Sequence, residues 1–198
     1  MHQATGNNAL PPIAGVVWYA IGRFYEALDG TVQDVGYFAH LGGVEGPLFN
    51  GPPGEATAFF TFRAEPFTPQ HLTNGDLTVS LDPVGRFTLY FNPEPRGDFS
   101  APESFAVGQP IATLQRLSTV VGTAVGPLSS NLFSAVLCSS EDFVFRGRTW
   151  NLGCFLPRGI TQLGTGSTAA LQPTPAGYRS VTAFVGSAMA LGGEVRAP

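Results

Sequence analysis

The sequence predicts an all-β fold, an antiparallel closed β-barrel, and three observations carry that expectation. Apolar and polar residues alternate in short runs, as over 77–81 (Leu-Thr-Val-Ser-Leu) and 86–92 (Arg-Phe-Thr-Leu-Tyr-Phe-Asn). A period of two sends successive side chains to opposite faces of a pleated strand. Turn chemistry cuts these runs roughly every 8 to 12 residues, the spacing of an all-β domain. The 25 Gly and 17 Pro favour many turns and few long helices. No alternation of strand and helix patterns is visible, so a parallel doubly wound sheet is not expected. Strands apolar on both faces, such as 56–62, need cover on both sides. A closed barrel supplies an inner and an outer cover and removes exposed edges. A two-sheet sandwich is the alternative.

The elements follow in order along the chain. Residues 1–12 are polar and end in Pro11-Pro12, which reads as an irregular arm on a single domain covering 1–198. Residues 16–28 and 32–41 read as two antiparallel strands joined at Asp29-Gly30, a favoured hairpin dipeptide. A helix over 17–27 competes with the first strand. Residues 42–54 are rich in Gly and Pro and form a loop. A strand covers 55–63, and a connection over 65–76 ends in Asn74-Gly75. The runs 77–81 and 86–92 flank Asp82-Pro83-Val84-Gly85, so this stretch is expected to be a hairpin. A Pro-rich excursion spans 92–102. Residues 109–116 and 118–125 form one long strand or two short ones, and 131–138 form another. Arg146-Gly147-Arg148 closes a tight hairpin between 143–145 and 149–152. A short strand is expected at 160–163, a loop at 164–177, and a last strand at 179–191.

Composition narrows the function classes. The hydrophobic fraction is 43%, charged residues are 12%, and the chain carries sixteen Phe. All ten cationic residues are Arg, which excludes lysine Schiff-base chemistry and a P-loop lysine. The net charge is −4 with no basic cluster, so nucleic acid and anionic membrane surfaces are not expected partners. No segment has the roughly 18 apolar residues of a spanning helix. The N-terminus has neither a charged nor an apolar leader region. No signal peptide is read here, and a cytoplasmic location is the expectation unless a leader has been removed. Cys138 and Cys154 flank a hairpin; they read as free buried thiols, with a bond between adjacent strands as the alternative. No metal site and no cofactor are expected.

No nucleophile elbow, dinucleotide fingerprint, zinc motif or Cys-x-x-Cys is present, so candidate residues come from strand parity. Arg63 shares a face with Phe59 and Thr61. A guanidinium among apolar neighbours needs an acceptor, either Glu55, Glu65 or Glu103, or a ligand oxygen. Tyr90 shares its face with Thr88 and Asn92. His40 ends its strand on the face of Asp34, Gly36 and Phe38, where it acts as an acid or base or simply as a rim residue. Arg63, Tyr90 and His40 are the candidate catalytic residues. Phe59, Thr61, Arg116, Asn131 and Trp150 are the candidate substrate-binding residues. Arg63 and Tyr90 are expected to project into one Phe-lined cavity, with His40, Arg116 or Trp150 near its mouth. The opposite parity, with Phe60, Phe62, Phe87 and Phe91 inward, would turn both outward.

The run Gly108-Gln-Pro-Ile-Ala-Thr113, the strand 131–138 and Ser140-Glu-Asp-Phe-Val-Phe-Arg-Gly147 carry a likeness. Over roughly residues 55–155 the chain resembles the allene oxide cyclase and dirigent barrel group. That resemblance implies a cofactor-free barrel that holds an apolar reactive molecule and steers its cyclisation or coupling. The composition agrees, since a Phe-rich lumen can fold a flexible substrate into a near-attack shape without a triad. The expected function is a cofactor-independent cyclase or pericyclase-like enzyme acting on an apolar polyketide, terpenoid or oxylipin. A non-catalytic, lipocalin-like carrier of a hydrophobic small molecule is the alternative. Strands apolar on both faces also lead to an expected homo-oligomer, most simply a two-fold dimer.

Overall fold

The computed structural model describes residues 15–74, 77–82, 85–117, 120–156 and 158–191. Its strands are β1 (Val16–Ala27), β2 (Val32–Leu41), β3 (Phe60–Ala64), β4 (Gln70–Asn74), β5 (Leu77–Asp82), β6 (Arg86–Phe91) and β7 (Gln109–Arg116). They continue as β8 (Val120–Val125), β9 (Leu128–Ser140), β10 (Phe143–Phe145), β11 (Arg148–Trp150), β12 (Ile160–Ser167) and β13 (Tyr178–Ala190). Eight of them close an antiparallel barrel in the order β1-β2-β3-β6-β7-β9-β12-β13 and back to β1. The closing seam is β9 on β12, with Ala135 opposite Ile160 and Leu128 opposite Ser167. Among the described residues no helix is long and apolar enough to cross a membrane.

Local chemistry explains the two short hairpins. At the β1–β2 turn the Asp29 carboxylate accepts from the Thr31 amide (2.9 Å) and hydroxyl (2.7 Å), and Gly30 takes φ 86°. These bonds hold the Asp29 carboxyl below its ordinary range. At the β10–β11 turn Arg146 and Gly147 both take positive φ, 52° and 75°. That is the mirror-image turn whose twist matches a two-residue hairpin.

The expected hairpin at Asp82–Gly85 is corrected. β5 pairs with β4 and β8, while β6 pairs with β3 and β7, so both edges of each strand are taken. Residues 83 and 84 lie outside the described residues. One register runs through both halves: Phe60 faces Phe91, Ala64 faces Phe87, Gln70 faces Leu81 and Asn74 faces Leu77. The two runs are successive lengths of one ribbon, and the reversal occurs between Asn74 and Leu77. β5 and β6 are therefore consecutive strands along that ribbon and not partners of one another. The expected connection over 65–76 accordingly contains a strand, β4. The strand expected from residue 55 starts at Phe60, after a 3₁₀ turn at Glu55–Thr57. β12 runs to Ser167, four residues past its expected end.

Beyond the barrel, β4, β5 and β8 extend from β9 as a projecting sheet. The opposite end is stoppered by β10 and β11. Phe143, Phe145 and Trp150 pack there with Phe60 and Phe91, with ring centroids 5.1–5.6 Å apart for the Phe60 contacts to β10. A second cluster lies on the outer wall. Tyr25, Val35, Tyr37 and Val181 are covered by Phe99 and Phe105, which a 3₁₀ turn at Pro102–Ala106 helps to hold. Cys138 and Cys154 are free, as expected, but exposed rather than buried.

Candidate functional site

The parity of β3 and β6 decides what the lumen contains. Phe60, Phe62, Phe87, Leu89 and Phe91 are buried in the barrel core. The alternate face of β3 and β6 points outward. Arg63, opposite Val35, is half-buried on the outer wall, and its Nη2 donates to Gln33 Oε1 at 3.4 Å. Tyr90 faces Thr61 and Pro110 on the same wall. Thr61 is buried there because its hydroxyl donates to the Phe105 carbonyl at 2.6 Å, beneath the covering turn. The expectation that Arg63 and Tyr90 share a luminal cavity is therefore corrected. The apolar face went inside because burying three or four phenyl rings outweighs burying one phenol and one guanidinium.

His40 is corrected for a different reason. β1 and β2 are in step from Glu26–Val32 to Ala20–Phe38, but Tyr19 faces His40 and Trp18 faces Leu41. Ala39 is the extra residue of a bulge, which reverses the parity beyond it. Leu41 enters the lumen and His40 lies exposed outside. Phe59 lies half-buried at the stoppered rim, 5.4 Å from Phe145. Trp150 is buried at that end, and its Nε1 donates to the Phe145 carbonyl at 3.2 Å. Neither ring lines the opposite, open end.

Two sequence-level candidates, Arg116 and Asn131, lie towards that end, each lining a separate space. Arg116 is 4% exposed and points into the lumen. Its Nη2 lies 3.4 and 3.5 Å from the two Asp34 carboxylate oxygens. Its guanidinium carbon is 5.0 Å from the centroid of Phe133, 5.4 Å from Phe67 and 6.0 Å from Phe87. Ring faces partly balance the cation, yet Arg116 Nε and Nη1 are buried with no hydrogen-bond partner among the described residues. Arg116 lines a void of about 10 Å³ together with Trp18, Asp34, Phe38, Phe62, Phe87 and Gln162 among others. The Trp18 indole is already committed, donating to Gln162 Oε1 at 3.1 Å.

Outside this void a cleft of about 240 Å³ opens between the barrel mouth and the projecting sheet. Phe24, Val32, Phe67 and Pro69 form its apolar wall, and His71, Thr123 and Asn131 are among its polar groups. Asn131 Oδ1 is buried without a partner among the described residues. Gly164 leaves room for this carboxamide, since a Cβ there would sit 2.6 Å from Asn131 Oδ1. Phe67 lines the cleft, with its ring centroid 5.4 Å from the Arg116 guanidinium carbon, and is pinned by paired backbone bonds between its peptide and that of Val32, at 2.7 and 2.9 Å.

Sequence reasoning missed Asp34, Gln162, Trp18 and Phe67. Asp34 carried one signal, a lone carboxylate among Val32, Val35, Gly36 and Phe38 in a strand. A charge in such a run needs a buried partner. Comparison with protein-family models, curated proteins and solved structures finds no match for this chain.

Proposed function

We propose that this barrel takes a largely apolar, oxygen-bearing small molecule at its open end and acts on it as a cofactor-independent, cyclase-type enzyme. The observation that carries the reading is Arg116, a buried cation in an aromatic lumen with two nitrogens that lack acceptors among the described residues. Buried donors without partners cost stability, and a ligand acceptor is one of the few things that offsets that cost. Preorganised donors in a water-poor site stabilise charge developing on a substrate oxygen. The aromatic walls hold a flexible chain in one shape. Kinship with the allene oxide cyclase and dirigent barrels is part of this proposal, on the residues that suggested it.

The carrier reading is favoured by one specific feature. The lumen is filled by its own rings, which leaves the cleft as the larger space. Native mass spectrometry of the purified protein, followed by incubation of any released molecule with fresh enzyme, separates the two. Conversion faster than the uncatalysed reaction supports the enzyme. Tight binding with no rate change discards it in favour of the carrier.

We further propose that the outer wall of β9, β12, β13 and β1 mediates a two-fold dimer. Leu132, Leu163, Val185, Tyr19 and Met189 are exposed on those four adjacent strands, and Leu132 lies opposite Leu163.

A further inference from the structure

Resting on the reading of Arg116 as the polar anchor, we infer that the site selects an uncharged oxygen acceptor, such as a ketone carbonyl, and rejects a carboxylate. The argument starts from charge. Among the described residues lining the void and the cleft, Arg116 and Asp34 are the only Arg, Lys, Asp or Glu residues. They already form a pair, with Arg116 Nη2 on both Asp34 oxygens. The guanidinium therefore offers hydrogen-bond donors without offering net charge. A second carboxylate would make the site net negative in a water-poor surround, where an unbalanced charge is heavily penalised. The neighbouring rings add to this. Phe67, Phe87 and Phe133 surround the guanidinium, and aromatic faces attract cations and disfavour anions.

Size points the same way. The void beside Arg116 holds about 10 Å³, roughly one water-sized group. One carbonyl oxygen fits it; the two oxygens of a carboxylate do not. The ligand's apolar body then occupies the cleft of about 240 Å³, and Phe67, which lines that cleft and lies 5.4 Å from the guanidinium carbon, is where its oxygen would cross to Arg116. His71 borders the outer cleft rather than the void, so it does not offset charge at Arg116.

Three probes of nearly equal shape test this: benzylacetone (methyl ketone), hydrocinnamate (carboxylate) and butylbenzene (no oxygen). Each is titrated at neutral pH into the full-length protein and followed through the Trp18 indole N–H resonance. Benzylacetone should bind at least about tenfold more tightly than either other probe. Asp34→Asn should reverse the order of ketone and carboxylate, because the guanidinium is then unneutralised. Equal or tighter binding of hydrocinnamate to the wild type would overturn the inference and leave the pocket reading standing. Butylbenzene binding as tightly as benzylacetone would remove Arg116 as the partner of the oxygen. No response to any probe would overturn the pocket reading itself. The wild-type ranking decides the question even if Asp34→Asn does not fold.

Discussion

Arg116 and Asp34 show how much one pair of residues commits the molecule. Both are buried, so each is tolerable only with the other. Arg116→Met should destabilise the protein by about 3–5 kcal/mol, because it strands a buried carboxylate. Arg116→Met combined with Asp34→Leu should recover most of that loss, and urea unfolding of the single and double variants checks both. If a substrate is identified, Arg116→Gln should lower its turnover roughly ten- to a thousandfold, the range seen when a transition-state donor is removed. Tyr25 offers a pH test. Burial pushes its phenol from 10.0 up to about 12, while its hydroxyl donates to the Phe99 carbonyl at 2.7 Å. A raised folded value favours the neutral phenol, so this contribution is full below pH 10 and fades as pH rises through about 12. Tyr25→Phe should lose about 1–3 kcal/mol at neutral pH and show a weaker alkaline fall in melting temperature than wild type.

At the scale of elements, strand registry matters more than strand existence. Gly22 and Gly36 face each other across β1 and β2, and the rings of Phe184 and Phe62 fill the space above them. A Cβ on Gly36 would collide with the Ile21 carbonyl and lie 2.8 Å from the Phe62 ring. Gly36→Ala should therefore cost at least about 1–3 kcal/mol, read as a fall in melting temperature. The hairpin stopper has a milder test. Gly147 at φ 75° replaced by Val should cost about 1–2 kcal/mol by the same measurement. Turn dipeptides were legible at Asp29-Gly30 and Arg146-Gly147 because local φ preference alone closes those hairpins. At Asp82–Gly85 the same chemistry misled. A Pro and Gly insert says that a strand is interrupted, and only its partners decide whether it reverses.

The described residues form a barrel stoppered at one end by β10 and β11, with a cleft between its other end and the projecting sheet, and walled by exposed apolar residues on one side. The proposed dimer should appear in light scattering at twice 20.8 kDa, with Leu163→Glu returning it to 20.8 kDa. A single 20.8 kDa species from the wild type at micromolar concentration would discard the dimer. The projecting sheet bears on access to the lumen, since β8 and β9 supply Gly122, Thr123, Ala124 and Asn131 to the cleft wall. No local pattern announces that wall. It exists because β3–β4, β5–β6 and β7–β8 each run past the barrel rim before reversing.

The sequence by itself determined the all-β class, the antiparallel closure, most strand positions and two hairpins. Each of these follows from side-chain alternation and turn preference, which act over a few residues. It also made candidates of Arg116, placed near a cavity mouth, and of Asn131, on the face of Phe133 and Ala135. Tertiary structure decided which face of β3 and β6 is luminal, and so removed Arg63 and Tyr90 from the interior. It also placed His40 outside, through a one-residue bulge that alternation cannot register. Asp34 became part of the site only because β2 and β7 meet across the lumen, 82 residues apart in sequence. The physical reason is common to all of these. A strand's period reveals two faces, but the choice between them is made by the total apolar area the closed barrel can bury and by the partner each buried charge finds.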